Sequence, residues 1–385
     1  MMKKIFISLL CLIILTNINK INLHAEELVS DVKSAILIEV DTGKVLYEYN
    51  AHEKRIPAST TKVMSIKLVL DALKSKRITM DQIITTSEHA SSMGGSQIFL
   101  SVNEQMSVED LFKSMVIASA NDATVALAES ISGSEEFFVK AMNDECKKLG
   151  LKNTNFVNST GLPTKNHYTT CYDLAMISRS LLIEHEEEII PVSSRYEDYI
   201  REGTDKRFWL VNTNKLLKHY NGVDGLKTGW TEEAGYCLVS TMKKDDMRLI
   251  SVVMGGSTAK LRNKDTVSLL NYGFSNYEKV ILSKKNTVIS VEEDLMIDPS
   301  VYHIVLSDDI SIVVSKNEKD NVLKNIKQVI NINKENIKQC NNELVGTIDT
   351  YLEDTLISSV NLKLEEQIKK PNFFKLLLDI IKKIL

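Results

Sequence analysis

The chain has 385 residues, of which 43% are hydrophobic, and a formal net charge of −4. This length favours two domains rather than one, and the hydrophobic content is sufficient for ordinary globular cores. The slightly acidic balance lacks the excess of basic residues typical of nucleic-acid-binding proteins. We therefore expect no nucleic acid among its partners.

The N-terminus has the plan of a secretory signal. Lys3 and Lys4 precede an apolar run at 5–15, and small and polar residues follow as far as Ala25. We expect a signal peptide at 1–25 and therefore export. The alternative is an uncleaved anchor, but the apolar run is too short to span a bilayer comfortably. Cleavage removes three lysines and no acid, which leaves a mature net charge of −7.

The cysteines show no metal-binding pattern. Cys11 lies in the apolar run, and none of the others belongs to a Cys-x-x-Cys pair or a zinc-type Cys/His cluster. We expect no metal and no cofactor, and the four remaining residues are predicted to be buried free thiols. Disulfides remain an open alternative in an exported chain. These four are Cys146, Cys171, Cys237 and Cys340.

The elements of residues 26–278 predict an α+β domain. Strands at 35–40 and 44–49 flank the turn residues Asp41-Thr42-Gly43, which indicates a hairpin, and strands return near the end of the segment. Because strands come from both ends, we expect one antiparallel sheet with a helical block between. Helices are predicted at 60–75, 107–118, 122–131, 135–149, 171–184 and 261–275, and the later strands at 236–242 and 248–254.

Residues 279–370 predict a small, mainly β domain that serves as a spacer or a protein contact. No motif in it carries chemistry. The alternating runs lie at 286–291, 301–306, 310–315, 344–349 and 355–364.

The last segment, 371–385, predicts an amphipathic helix. Lys375, Asp379, Lys382 and Lys383 share one helical face, and every other residue from 373 onward is apolar. Such a helix is suited to an anionic membrane surface, and it is too short to cross one. We expect the exported protein to lie on the outer face of the cytoplasmic membrane. The alternative is a terminal helix docked on the second domain.

Three short motifs predict a nucleophilic site. Ser-x-x-Lys occurs at Ser30, Ser59, Ser240 and Ser257, but only Ser59 opens a strong helical pattern that places the hydroxyl and the Lys62 amine one turn apart. A serine hydroxyl needs a base, and lysine serves as one only when burial or a second cation lowers its pKa. A helix N-cap serine beside an exposed lysine is the ordinary alternative.

The other two motifs supply a proton relay and an anion clamp. Ser119 and Asn121 fall between two predicted helices, where a hydroxyl can pass a proton and an amide can hold a carbonyl. Lys227, Thr228 and Gly229 form a turn-to-edge-strand segment that offers a cation, a hydroxyl and close backbone approach. Lys227 is also the predicted second cation beside Lys62. Taken singly, both motifs also fit ordinary structural roles.

With these residues in view, the chain resembles the penicillin-recognising serine D-alanyl-D-alanine carboxypeptidases of peptidase family S11, the low-molecular-mass penicillin-binding proteins. The likeness covers about residues 28–278. It includes the segments 58–62, 92–96, 119–123, 161–163, 167–170, 222–229 and 233–236. The resemblance implies a penicillin-binding/β-lactamase-like transpeptidase fold for 26–278.

The resemblance also implies roles for individual residues. Ser59 would form an acyl-enzyme with a stem peptide that ends in D-Ala-D-Ala, and β-lactam antibiotics would acylate it as well. Lys62 would be the base, and Ser119 with Asn121 the proton shuttle. The carboxylate would be held by Lys227 and Thr228, with help from Arg262, and the oxyanion by the backbone N–H groups of Ser59 and Trp230 after Gly229.

Two positions depart from relatives, and two charged features invite other interpretations. Thr213 stands where some relatives have arginine, and Trp230 replaces smaller or polar residues. Because lysine already fills the role of base, we expect no direct part for His167. The charge run 184–188 is predicted to be a solvated helix end rather than a metal site.

Three other functions compete with the carboxypeptidase. A D,D-endopeptidase would use the same residues on cross-linked peptides. A class A β-lactamase would also need a Glu-x-x-Leu-Asn type segment, which residues 122–226 lack. A non-catalytic penicillin-binding wall sensor would keep the fold without turnover, although every expected side chain is present.

Overall fold

The computed structural model describes residues 28–339 and 344–384. The predicted signal peptide, Cys11 and Cys340 lie outside these ranges. The strands are β1 Ser34–Glu39, β2 Val45–Tyr49, β3 Ile83–Thr85, β4 Gln105–Ser107, β5 Glu197–Ile200, β6 Phe208–Val211, β7 Val223–Thr231, β8 Gly235–Lys244, β9 Met247–Gly256, β10 Tyr277–Ser283, β11 Val288–Glu293, β12 Val301–Leu306, β13 Ile310–Ser315, β14 Ile326–Ile332, β15 Gly346–Leu352 and β16 Thr355–Leu364.

The first helix begins directly after a 3-10 turn at Ala58–Thr61. The helices are α1 Lys62–Lys74, α2 Glu88–Ser91, α3 Val108–Ile117, α4 Asn121–Ser132, α5 Glu135–Lys148, α6 Cys171–Ser193, α7 Leu216–His219, α8 Ala259–Asn276, α9 Lys319–Lys324, α10 Lys334–Lys338 and α11 Phe373–Ile384.

The main sheet has the strand order β2-β1-β9-β8-β7, and each neighbouring pair is antiparallel. The prediction of an antiparallel sheet built from both ends of the segment is therefore confirmed. Strands β1 and β9 are buried along their whole length because the helical block covers one face and α8 the other. Strand β7 lies at the sheet edge, as its sequence predicted.

Helix α1 is the centre of the helical block. Every residue from Lys62 to Leu70 is buried, which is the pattern of a helix surrounded by protein rather than of a surface helix. The Ser-x-x-Lys segment is thus fixed to the most enclosed helix of the molecule. Caps begin several of the helices packed around it; for example, Ser107 accepts from the Asp110 N–H and Thr170 from the Asp173 N–H.

Helix α6 is longer than predicted, and the prediction of a solvated helix end at 184–188 is wrong for His185. The helix continues to Ser193 through a kink at His185, which has φ −145°. The His185 ring is buried, and its Nε2 lies 2.7 Å from Asp71 Oδ1 on α1. The neighbouring Lys67 amine contacts Asp71, Glu145 and Glu184, so these three carboxylates share one buried lysine as a counter-ion.

The C-terminal region is mainly β, as its alternating runs predicted. Strand β10 pairs with β13, and a five-stranded sheet has the order β11-β12-β16-β15-β14. Its core contains Ile304, Leu306, Val345 and Leu362. Strands β10 and β14 were not predicted. In β14 the exposed Lys327, Gln328 and Asn331 hide the apolar alternation.

The final helix, α11, exposes most of its apolar side chains, including Phe373 and Phe374. It touches the β-rich region through an ion pair between Lys383 and Glu293 (2.9 Å). Within the described residues, no helix is both long enough and apolar enough to cross a membrane.

Three of the four predicted free thiols are described, and all three are buried and unpaired. Burial raises the pKa of Cys146 to about 12 and that of Cys237 to about 11, and it raises the pKa of Cys171 as well. These thiols are therefore core groups rather than reactive ones.

Candidate active site

The nucleophile lies on a strained turn at the entrance to α1. Ala58 is fully buried with φ +49°, a conformation that an alanine rarely adopts. The next residue, Ser59, is partly exposed. The turn is closed by Thr60, whose backbone N–H and hydroxyl both donate to the Pro57 carbonyl at 3.2 and 2.6 Å. The turn therefore displays one hydroxyl to solvent directly above a buried helix.

The Lys62 amine lies below that hydroxyl and has three neighbours. Its Nζ is 2.6 Å from Asn121 Oδ1, 2.7 Å from the Thr160 carbonyl oxygen and 3.3 Å from Ser59 Oγ. Burial lowers the pKa of Lys62 well below its ordinary value, and the Lys227 charge lowers it further. A neutral amine has two N–H groups and one lone pair. The two carbonyl oxygens take the N–H groups, so the lone pair is left for the Ser59 hydroxyl.

The loop before α4 carries the second motif. Asn121 donates from Nδ2 to the Gly94 carbonyl (2.7 Å) and from its backbone N–H to the Ser96 carbonyl (2.7 Å). These bonds fix the amide so that Oδ1 faces Lys62. Ser119 has φ +64°, and among the described residues its buried hydroxyl has no hydrogen-bond partner. A buried hydroxyl without a partner is available to a reacting group.

Strand β7 passes very close to the nucleophile turn, and only glycine permits this. A Cβ on Gly229 would lie 2.9 Å from the Pro57 carbonyl oxygen and 3.0 Å from the backbone nitrogens of Ser59 and Thr60. The approach brings the N–H of Ser59 close to the strand that contains Trp230. The Trp230 side chain is 57% exposed and packs on Tyr236 with ring centroids 5.9 Å apart.

The Lys-Thr-Gly side chains are buried beside this strand. Lys227 is almost completely buried, and its Nζ donates to the Thr228 carbonyl at 3.2 Å. Burial, followed by the Arg262 charge, lowers the pKa of Lys227 to about 7. The Thr228 hydroxyl donates to Thr213 Oγ1 at 2.6 Å, so Thr213 is itself part of the site wall.

Arg262 stands behind Lys227 on α8. Its Nη1 donates to the Cys237 carbonyl at 3.2 Å, and its Nη2 donates to Asn263 Oδ1 at 2.8 Å. Both partners are neutral, so its positive charge acts on the site through space. Burial lowers its own pKa to about 10.

The sequence motifs missed a loop that supports the nucleophile turn. Gly161 has φ +84°, and a Cβ there would lie 1.8 Å from the Ala58 carbonyl oxygen. The same loop supplies the Thr160 carbonyl to Lys62 and the Ser159 carbonyl to the Ser65 hydroxyl (2.6 Å). Backbone carbonyls have no sequence signature. The only advance signal was the pair of segments 161–163 and 167–170, which took part in the family resemblance.

The other Ser-x-x-Lys serines are occupied elsewhere. The hydroxyls of Ser30, Ser240 and Ser257 donate to Asp265, the Gly225 carbonyl and Asp31, respectively. Only Ser59 has a lysine amine within hydrogen-bond distance in the described residues, which supports the choice made from helical context.

We predict that Gly161→Ala destabilises the fold by about 2–4 kcal/mol, because the methyl group meets a fixed backbone carbonyl and the residue must keep a left-handed conformation. Urea unfolding measures the change. Gly94→Ala is the matched control, since a Cβ there meets no heavy atom within 4 Å and should be nearly neutral. Equal stability of the two variants would contradict the close approach.

Known proteins are similar to this chain in both sequence and fold. A family model described as D-alanyl-D-alanine carboxypeptidase, peptidase S11, matches residues 22–258. The D-alanyl-D-alanine carboxypeptidase DacF of Bacillus subtilis is 46% identical over 92% of this chain and 90% of its own length. DacC of Escherichia coli is 34% identical over 89% of this chain and 86% of its own.

Solved structures agree with this assignment. Penicillin binding protein 5 from Haemophilus influenzae superimposes with a TM-score of 0.71 at 31% identity, covering 88% of this chain and 98% of the other. Penicillin-binding protein D2 from Listeria monocytogenes, in its ampicillin-bound form, has a TM-score of 0.57 at 34% identity and covers 63% of this chain and 97% of its own. The chain belongs to the D-alanyl-D-alanine carboxypeptidase family, peptidase S11.

Proposed function

We propose that this protein is a serine D-alanyl-D-alanine carboxypeptidase that removes the terminal D-alanine from peptidoglycan stem peptides through an acyl-enzyme on Ser59. The observation that carries the proposal is the Lys62 amine, because both of its N–H groups have acceptors while the Ser59 hydroxyl lies 3.3 Å away. This arrangement is a base poised on a nucleophile.

The acylation step follows from these contacts. Ser59 Oγ attacks the carbonyl carbon of the D-Ala-D-Ala peptide bond, and its proton passes to the Lys62 amine. The carbonyl oxygen becomes an oxyanion, which the backbone N–H groups of Ser59 and Trp230 stabilise. The close approach at Gly229 supports this assignment, because it brings the nucleophile turn and strand β7 together.

The departing D-alanine needs a proton and a partner for its carboxylate. Ser119, whose buried hydroxyl is unpaired among the described residues, relays the proton from Lys62 to the leaving nitrogen. Lys227 holds the carboxylate, and the Arg262 charge adds to the positive potential there. The Thr228 hydroxyl joins them by turning its proton from Thr213 Oγ1 to the carboxylate when the substrate binds. Thr213 lies within hydrogen-bond distance of that hydroxyl, so it can donate to Thr228 Oγ1 once the Thr228 proton has turned to the carboxylate. Water then hydrolyses the ester, and Ser59 is restored.

A β-lactam acylates the same serine. The related penicillin-binding protein D2 of Listeria monocytogenes has been solved in an ampicillin-bound form. In this chain the ring-opened drug would keep its leaving group attached, so the Ser59 ester would persist. We therefore expect stable labelling by penicillins, not rapid hydrolysis of them.

The rest of the chain gives the site its location. We propose export directed by residues 1–25, a catalytic domain at 26–278 and a small β-rich domain at 279–370. We further propose that 371–385 lies on the anionic outer face of the cytoplasmic membrane. The exposed apolar side chains of α11 support this last assignment.

The decisive test of the function is release of D-alanine from diacetyl-Lys-D-Ala-D-Ala. We expect the wild type to release it and Ser59→Ala to be slower by at least about 1,000-fold, because the acyl-enzyme cannot form. Ser257→Ala, which removes another Ser-x-x-Lys hydroxyl, should retain activity.

Parallel assays with other substrates separate the alternatives. No release by the wild type, with intact penicillin labelling, would favour the wall sensor. Release only from cross-linked muropeptides would favour the endopeptidase, and fast nitrocefin turnover the β-lactamase.

Lys227→Gln should make acylation more sensitive to acid. The Lys227 charge lowers the pKa of Lys62, so its removal raises that pKa and leaves less neutral amine at a given low pH. The limiting rate of acylation by benzylpenicillin should fall more at pH 6 than at pH 9. Lys218→Gln, on the surface, is the control. A loss that is equal at all pH values would exclude this electrostatic role.

Removal of 371–385 should abolish binding to anionic vesicles without changing D-alanine release in solution. The helix supplies both an apolar face and basic residues, so wild-type binding should also weaken at high salt and on neutral vesicles. Co-sedimentation with phosphatidylglycerol vesicles measures it. Full binding by the shortened chain would place the membrane contact elsewhere.

A further inference from the structure

His167 is a buried histidine that the proposed mechanism leaves unused. It is 3% exposed, and its Nδ1 accepts a hydrogen bond from the Val157 backbone N–H at 3.1 Å. In the neutral ring the proton must therefore be on Nε2, which lies 2.8 Å from Thr61 Oγ1 and donates to it. Burial lowers the pKa of His167 to about 4, which keeps the ring neutral at ordinary pH.

The acceptor, Thr61, occupies a sensitive position. It is fully buried, it ends the 3-10 turn, and it stands between the nucleophile Ser59 and the base Lys62 in the chain. The His167 ring does not point at the Ser59 hydroxyl, so it has no direct part in proton transfer. Its bond joins the loop 158–169 to the nucleophile turn.

Two further contacts link the same loop and turn. The Thr160 carbonyl accepts from Lys62 Nζ at 2.7 Å, and Gly161 packs against the Ala58 carbonyl and Thr61. The Thr160 carbonyl is therefore held between the amine on one side and a backbone contact on the other. The end of the loop is also held by a pair of backbone hydrogen bonds between Thr169 and Arg55, which lies before the turn. Among the described residues, the His167–Thr61 hydrogen bond is the only one that joins this loop to the turn itself through two side chains.

We propose that His167 is a positioning residue for the general base. By donating to Thr61, it holds the loop 158–169 in the position in which the Thr160 carbonyl accepts a hydrogen bond from Lys62. The proposal rests on the proposed function. When this carbonyl is in place, the lone pair of the Lys62 amine is directed at Ser59. When the carbonyl moves away, one N–H group of Lys62 loses its acceptor and donates to the Ser59 hydroxyl in place of the lone pair. Acylation then slows, although penicillin still binds.

The test measures the limiting acylation rate and the preceding dissociation constant for benzylpenicillin by stopped flow. We expect His167→Ala and Thr61→Val each to lower the limiting rate about 10- to 100-fold while the dissociation constant stays within about twofold. Because both changes remove the same bond, the double variant should be no slower than the slower single one. Thr61→Ser, which keeps the acceptor, should recover near wild-type rates.

His185→Gln is the matched control. His185 is similarly buried and makes one side-chain hydrogen bond, but its partner is Asp71 on helix α1 rather than a residue of the nucleophile turn. The His185→Gln variant should have a lower midpoint of thermal unfolding, as His167→Ala does, and an unchanged acylation rate. A similar rate loss in this control would reduce His167 to a general stability role and overturn the proposal.

The remaining outcomes are also decisive. Limiting rates within about twofold of wild type for Thr61→Val, or rate losses that multiply in the double variant, would overturn the positioning role. Failure of the wild type to be acylated at all would instead contradict the proposed function, so the two failures are distinguishable. If His167→Ala does not fold, Thr61→Val and Thr61→Ser carry the test alone.

Discussion

The whole site depends on one constraint, which is that the Lys62 amine is fully buried and its pKa is thereby held well below the ordinary value. A buried ammonium would need a counter-ion, and the groups that touch Nζ are a hydroxyl, an amide oxygen and a backbone carbonyl. The nearby carboxylate of Asp122 instead accepts from the backbone N–H groups of Ile98 and Leu100. The protein thus surrounds the base with neutral dipoles and uses its nearby carboxylate to hold the site loop.

Close backbone packing is the second requirement, and it explains the strain. Ala58 and Ser119 have φ values of +49° and +64°, and both flank groups of the site. Such conformations cost about 1–3 kcal/mol each and persist only when the surroundings enforce them. At Ala58 the enforcement comes from two glycines, Gly161 and Gly229, which let a loop and a strand pack against the nucleophile turn.

The sequence predicted the side chains of this site better than its scaffold. Ser59 and Lys62 are recognisable because one helical turn fixes their separation, and Lys227 because glycine and threonine follow it on an edge strand. The Thr160 carbonyl was not predictable, since any residue offers one. The extension of α6 past the charge run was missed because His185 is stabilised by Asp71, a tertiary contact that overrides local charge. Strand β14 was missed because its exposed polar residues mask the alternation.

Two buried cations beside the nucleophile raise the question of how a bound substrate leaves Lys62 uncharged. In the described residues neither Lys227 nor Arg262 forms an ion pair with a carboxylate, and their mutual repulsion contributes to the low pKa of Lys227. A substrate carboxylate would be the missing counter-ion, and it would stabilise the charged form of Lys227. The negative charge of the substrate carboxylate would then offset the lowering of the Lys62 pKa that the Lys227 charge causes. The dominant cause of the low Lys62 pKa, however, is burial rather than charge. That burial is complete before any substrate binds, so the low pKa of Lys62 persists at the moment when its lone pair is needed.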